Sequence, residues 1–109
     1  MALTVVGSAL GTGPALAGRA PSGTLTVTPS PARAWGSFHG AGCGYVVGAL
    51  TTVAVEKPEA LAFFNAIPDA DGCVSFDAGT DGPGTYGVKV YQLFRNKNTL
   101  MGAATLPVQ

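Results

Sequence analysis

The chain has 109 residues, of which six are basic and six acidic, so charged side chains make up only 11% and cancel to zero net charge. This length allows one domain with one hydrophobic core. The charge balance leaves no basic stripe for phosphates, so nucleic-acid binding is not expected. With 47% hydrophobic residues and 16 glycines, the composition is too apolar for disorder and favours short strands over long helices. We predict an all-β domain.

Residues 1–23 differ in composition from the rest of the chain. They are apolar, rich in glycine and free of acidic groups, which predicts an extended N-terminal arm. Residues 2–17 end in Ala15-Leu16-Ala17, as a secretory signal can, but no basic residue precedes Arg19, and glycines and Pro14 interrupt the apolar run. We therefore favour an uncleaved structural arm over a secretory signal. The run is too short and too glycine-rich for a membrane span.

From Thr24 onward, short β-type runs alternate with turn signals at the spacing of a sandwich. We assign residues 24–109 to one immunoglobulin-like β-sandwich of about seven strands. The predicted strands are Thr24–Thr28, Trp35–Tyr45, Thr51–Glu56, Leu61–Ile67, Cys73–Ala78, Thr85–Leu93 and Thr99–Val108. The fourth is ambiguous, because Glu59–Asn65 could also form a helical turn. Between the fourth and fifth strands, Asp71-Gly72 suits a type I′ hairpin turn. Within the second strand, the glycines at 40, 42 and 44 indicate a bulge or a close approach of another chain segment.

The two cysteines, Cys43 and Cys73, are well separated and have no neighbouring histidine or cysteine, so four zinc ligands cannot be found. Separated cysteines in a small β-domain most often form a disulfide. We predict this bond, with two buried thiols as the alternative. It would contribute about 3 to 4 kcal/mol by closing a loop, and it would place the working protein outside the cytosol.

The sequence predicts no catalytic, cofactor or metal site, and an enzyme is not expected. His39 is the only histidine, and no carboxylate or nucleophile lies beside it in the sequence, so a catalytic triad has no support. Asp69-Ala70-Asp71-Gly72 begins like a calcium loop but lacks the later ligands. Turn chemistry explains it more simply.

Two aromatic residues have predicted structural or binding roles. Tyr86 follows Gly82-Pro83-Gly84-Thr85 at the start of the penultimate strand, which is the pattern of a tyrosine corner. Trp35 is the single tryptophan, two residues after Arg33. It could plug one end of the sandwich. Alternatively, it could anchor an interface, where Trp and Arg are enriched.

Several motifs together resemble a known class of domains. They are Gly42-Cys43-Gly44-Tyr45, Gly48, Val53-Ala54-Val55, Asp69-Ala70-Asp71-Gly72-Cys73 and Gly82-Pro83-Gly84-Thr85-Tyr86. They resemble immunoglobulin-like modules of secreted actinobacterial surface proteins and of virions of phages that infect these bacteria. The resemblance covers about residues 24–109 and is more specific for the fold and the disulfide than for function. The chain departs from the secreted members in lacking a proper signal peptide and a cell-wall anchor.

The resemblance to the phage members implies a virion structural protein without enzymatic activity. We expect a capsid decoration (cement) protein on the virion surface that binds the shell by its arm and displays the sandwich outward; a minor tail protein is the alternative. The expected partner is the major capsid or tail protein, and self-association is a further expectation. A secreted actinobacterial adhesion protein at the cell surface is the remaining alternative. The predicted partner-binding residues are Leu3, Val5, Val6, Leu10, Leu16, Arg19 and Trp35.

Overall fold

The computed structural model describes residues 23–109. The predicted contacts Leu3, Val5, Val6, Leu10, Leu16 and Arg19 lie outside this range. Seven strands make up the regular structure of the described part: β1 (Thr26–Thr28), β2 (Ser37–Gly42), β3 (Thr51–Lys57), β4 (Ala60–Ala66), β5 (Val74–Gly79), β6 (Gly84–Phe94) and β7 (Lys97–Val108). Residues 23–109 contain no helix long and apolar enough to cross a membrane.

The strands form two antiparallel sheets, with orders β1-β2-β5 and β4-β3-β6-β7. This arrangement confirms the predicted immunoglobulin-like β-sandwich. β4 pairs with β3 along its whole length, from Lys57 opposite Ala60 to Thr51 opposite Ala66. The strand prediction for this ambiguous segment is therefore confirmed over the helical alternative.

The core lies between the sheets and follows from the two-residue period of the strands. Val53 and Val55 of β3 and Val88 and Val90 of β6 are fully buried. At the side where β4 faces β5, the Phe64 and Phe76 rings meet edge to face with centroids 5.5 Å apart. The remaining buried apolar residues include Val27, Phe38, Val74, Tyr86, Met101, Leu106 and Val108.

The predicted hairpin between β4 and β5 is wrong, because these strands belong to different sheets and the chain crosses between layers there. A type I′ turn serves paired strands and needs two residues with positive φ. Only Gly72 has one, at 77°. The Asp69 side chain organises the crossing instead, with Oδ1 accepting the N–H groups of Asp71 at 2.9 Å and Cys73 at 3.0 Å.

Type I′ geometry occurs instead between β6 and β7. Arg95 and Asn96 have φ values of 49° and 64°, and the hairpin closes with Phe94 opposite Lys97. In the sequence this segment was only the connection between the predicted strands Thr85–Leu93 and Thr99–Val108. The primed turn fits here because β6 and β7 pair directly and share the right-handed twist that such turns match.

Cys43 and Cys73 form the predicted disulfide, with their Cα atoms 3.9 Å apart. They lie next to the last pair of the β2–β5 ladder, Gly42 opposite Val74, because Cys43 follows Gly42 and Cys73 precedes Val74. The bond therefore closes the end of one sheet rather than joining the two sheets. The predicted close approach at the β2 glycines is also confirmed, since Gly40 lies against the Phe76 ring and Gly42 against the Thr24 backbone.

The strand directions give the sandwich two distinct ends. At the arm end, the chain enters β1 and residues 43–50, 67–73 and 95–96 connect the strands. At the opposite end, here called the Trp35 end, the connections are residues 29–36, 58–59 and 80–83, and the chain finishes at Gln109.

Candidate functional site

Trp35 lies at the surface, with 77% of its area exposed. The prediction that it plugs an end of the sandwich is therefore wrong. The core at this end is closed instead by Ala32, Phe38 and Val108, which are buried. Ala32 reaches that position because it forms a parallel bridge with Val108, and the chain then turns so that the indole lies outside. The prediction that Trp35 binds a partner stays a prediction.

The backbone at Trp35 is held in a conformation that bulky residues rarely adopt. Its φ is 58°, and such a conformation costs about 1–3 kcal/mol unless the surroundings impose it. The Trp35 N–H donates to the Asp81 carbonyl at 2.9 Å. On either side, the Thr80 hydroxyl donates to the Arg33 carbonyl at 2.6 Å and accepts the Gly36 N–H at 2.8 Å. These bonds hold the backbone of Trp35 from both sides.

A tyrosine corner supports the loop that holds Trp35, which confirms the role predicted for Tyr86. The Tyr86 side chain is fully buried. Its hydroxyl donates to the Gly82 carbonyl at 2.7 Å and accepts the Asp81 N–H at 2.8 Å. The Asp81 carbonyl in turn accepts the Trp35 N–H, so a continuous chain of hydrogen bonds runs from the core to the backbone of Trp35.

Three loops meet beside Trp35 and form an open pocket of about 410 Å³. Its walls combine apolar and charged side chains, and they include an ion pair between Lys57 Nζ and Asp81 Oδ2, which lie 3.0 Å apart. Lys57 is mostly covered, whereas Asp81 is half exposed. The lining residues are Trp35, Lys57, Pro58, Glu59, Ala60, Asp81, Gly82, Pro83 and Tyr86. Apart from Trp35, none was predicted to bind, because only the fold brings these separate loops together.

The arm end carries a second group of exposed apolar side chains. Val47 and Leu50 project from the β2–β3 connection, and Ile67, the most exposed at 89%, follows β4. A buried polar contact holds that connection on the sheet: Gln92 Oε1 accepts the Val46 N–H, and Nε2 donates to the Val46 carbonyl, each at 2.9 Å. The sequence of the β2–β3 connection did not indicate that the buried side chain of Gln92 would hold it in place.

The chain that leads into β1 is bound firmly to the sandwich. The Gly23 N–H donates to the Met101 carbonyl at 2.6 Å, and the Thr24 N–H donates to the Cys43 carbonyl at 2.8 Å. The Tyr45 hydroxyl donates to the Thr24 carbonyl at 2.5 Å, and burial raises the pKa of this phenol. Because of these hydrogen bonds, a force on the residues before Gly23 would act directly on the folded domain.

The outer face of the four-stranded sheet has a shallow groove of about 420 Å³ that Leu61 and Phe63 of β4 help to line. Phe63 is 62% exposed, and no charged residue lies within β4, which forms an edge of its sheet. Native edge strands commonly carry charges, prolines or bulges that prevent pairing. Across the face, Glu56 pairs with Lys89 at 3.0 Å, and its hydrogen bond and charge raise the pKa of the lysine.

His39 has neighbours that its position in the sequence did not reveal. The β2–β5 register places Asp77 directly opposite, so His39 Nδ1 lies 2.9 Å from Asp77 Oδ1, and Nε2 lies 3.2 Å from Ser75 Oγ. The fold therefore places a carboxylate and a hydroxyl beside His39 that are not adjacent to it in the sequence. The three side chains nonetheless lie on a solvent-exposed sheet face, outside the pocket beside Trp35 and the groove at Phe63. The backbone N–H groups of the central strand β2 are used in hydrogen bonds to the neighbouring strands β1 and β5. The geometry indicates a surface hydrogen-bonded cluster.

Within residues 23–109, no group of three or more His, Cys, Asp or Glu side chains is placed to hold a metal ion. Asp69, considered for calcium in the sequence, directs Oδ1 to backbone N–H groups of its own turn.

No protein-family model and no curated protein matches the chain. Among solved structures, it is similar to a predicted glycoside hydrolase from Bacteroides vulgatus, with a TM-score of 0.54 and 9% identity over 74% of this chain. The match spans 16% of that protein. A CARDB domain from Pyrococcus furiosus, solved in complex with di-metal ions, matches with a TM-score of 0.42 and 11% identity over 84% of this chain and 90% of that one. At these identities, the first likeness shows the fold alone.

Proposed function

We propose that the protein is a non-enzymatic structural component of a phage virion, a capsid decoration protein that attaches by its arm and displays the sandwich outward. The motif resemblance supports the class of protein. The observation that carries the mechanism is the location of Val47, Leu50 and Ile67, which are exposed at the end from which the chain enters β1. The arm and these side chains would then contact the shell together, and the Trp35 end would point outward.

The exposed side chains at the arm end would add to the binding energy of the arm. Fully burying a valine, leucine or isoleucine contributes about 1.5–3 kcal/mol. Because Val47, Leu50 and Ile67 are 55%, 57% and 89% exposed, they have about two full side chains left to bury. Their gross contribution would be roughly 3–6 kcal/mol, before the ordering cost of association is subtracted. The Gln92 contacts reduce that cost, because the loop bearing Val47 and Leu50 is already held in place.

Binding to particles that lack this protein, prepared from the phage that encodes it, tests the attachment. Deletion of residues 1–22 should abolish decoration while the near-UV circular dichroism of the sandwich persists. Ile67→Asp should weaken decoration at least tenfold, whereas Leu100→Asp, an exposed leucine on the sheet face, should leave it unchanged. Full occupancy by the truncated chain would refute the proposal. A particle map would also show whether the density lies on capsid or tail.

The disulfide supports one second candidate, a secreted actinobacterial adhesion protein, because bonds such as Cys43–Cys73 form and persist mainly in oxidising environments outside the cytosol. N-terminal sequencing of the protein from its native source separates the two. A mature chain that begins at Gly18 would support secretion, and a chain that retains residues 1–17 would support the virion component.

A further inference from the structure

We propose that the pocket beside Trp35 binds a neutral sugar, with the indole as the stacking platform. An isolated exposed apolar side chain needs no explanation. Trp35 differs because its left-handed backbone is imposed by bonds to Asp81 and, through the neighbouring residues, to Thr80. Strain maintained by surrounding contacts is concentrated at functional sites. Here it holds the Trp35 backbone in a conformation that presents a large aromatic surface to solvent.

A fixed platform lowers the cost of binding a small ligand. Association ordinarily orders side chains and loops at the site, and prior rigidity removes part of that cost. The indole edge lies over Gly82, where an added Cβ would be 3.9 Å from the ring. The Tyr86 hydroxyl fastens the same loop to the core. The pocket is therefore formed before any ligand arrives, as small-molecule sites usually are.

The chemistry of the lining matches a pyranose ring. A pyranose has an apolar C–H face, which stacks on an aromatic surface, and a rim of hydroxyl groups, which both donate and accept hydrogen bonds. Trp35 supplies the surface, and Asp81 and Glu59 supply acceptors beside the Lys57 donor. The Tyr86 hydroxyl already donates to Gly82 and accepts from Asp81, so its role is to support the loop.

The charges of the pocket argue against an anionic ligand. Lys57 is neutralised by Asp81 at 3.0 Å, and Glu59 adds a further negative charge. Phosphate, sulfate and acidic sugars would meet net repulsion, whereas hydroxyl groups can bond to both members of an ion pair. The volume of about 410 Å³ lies within the range of roughly 300–1,000 Å³ for small-molecule sites. One or two neutral sugar units fit these constraints.

The test uses the full chain on a glycan array of neutral and acidic sugars, followed by fluorescence titration of the neutral sugars that bind. Trp35 is the single tryptophan, so any saturable change in its emission reports this pocket. Neutral glycans should bind and acidic ones should not. Asp81→Asn should weaken binding at least threefold, and Leu100→Ala, on the sheet face, should leave it unchanged.

Trp35→Gly separates a binding role from a structural one. Glycine adopts a φ of 58° without strain, so the unfolding midpoint of this variant should equal or exceed that of the wild type, while array binding falls at least tenfold. A variant that unfolds earlier but still binds would overturn the proposal. So would the absence of binding to every neutral glycan, or preferential binding of acidic glycans or of a polyproline peptide. Deletion of residues 1–22 should not affect sugar binding, so this proposal and that of arm attachment can fail separately.

Discussion

Replacement of Tyr86 by phenylalanine removes one oxygen atom and tests the support of the Trp35 end. The hydroxyl accepts the Asp81 N–H at 2.8 Å and donates to the Gly82 carbonyl at 2.7 Å. The ring would stay in the core, because it is fully buried and phenylalanine has the same shape. The change therefore isolates two hydrogen bonds from the packing.

The expected loss of stability depends on the two backbone groups that lose their partner, the Asp81 N–H and the Gly82 carbonyl. A hydrogen bond contributes about 0.5–1.5 kcal/mol net, and leaving a buried partner unpaired costs about 1–3 kcal/mol. Both partners here are only partly buried, so water can replace some of the contact. We expect a decrease of about 2–3 kcal/mol in the free energy of unfolding, which lowers the Tm by roughly 8–24 °C at about 4–8 °C per kcal/mol.

Urea denaturation followed by circular dichroism measures this loss, with Tyr91→Phe as the matched control. Tyr91 lies on the outer face of the same strand and is only partly buried, so its replacement should change the free energy of unfolding by less than about 0.5 kcal/mol. The m-value should stay constant in both variants. A Tyr86→Phe loss no larger than that of the control would refute the structural role of the corner. The emission of Trp35 should also change, because the Asp81 peptide that holds it is released.

Three further predictions concern other parts of the domain. Replacement of both Cys43 and Cys73 by alanine should lower the free energy of unfolding by about 3–4 kcal/mol, because the bond closes a loop across a sequence separation of 30 residues; an unchanged urea midpoint would contradict this. Burial raises the pKa of the Tyr45 phenol above its ordinary value of 10.0. The stability that the neutral phenol contributes should therefore be fully present below pH 10.0 and be lost as the pH rises through the raised pKa. The difference in absorbance at 295 nm between wild type and Tyr45→Phe should therefore titrate with a midpoint above 10.0; a midpoint at or below it would contradict the burial argument. Phe63→Lys adds a charge to the uncharged edge strand β4 and should reduce self-association in sedimentation experiments. The control Leu100→Lys on β7 should not reduce it. Equal effects of the two variants would contradict a contact through β4.

The candidate site could be anticipated only in part. Trp35 was recognised as a binding candidate, and the spacing of Gly82, Pro83, Gly84 and Tyr86 identified the corner that supports it. The other pocket residues were assigned to a strand end or to loops, because nothing in their local pattern indicates that three connections converge. The contact between His39 and Asp77 was missed for the same reason, since the two residues lie 38 positions apart.

Local sequence was sufficient to determine the number of strands and their approximate positions, because a two-residue period is a property of each strand alone. The exact bounds were not determined, since the predicted Trp35–Tyr45 is shortened to Ser37–Gly42. Local sequence was also sufficient for the disulfide, since Cys43 and Cys73 are the only cysteines. The choice of strand partners was decided only by the tertiary structure, as in the assignment of β4 and β5 to different sheets. Long-range packing makes that choice, because each strand could pair with several others and only the assembled core distinguishes among them. The position of Trp35 outside that core follows from the same packing, since Ala32, bridged to Val108, occupies the end of the sandwich.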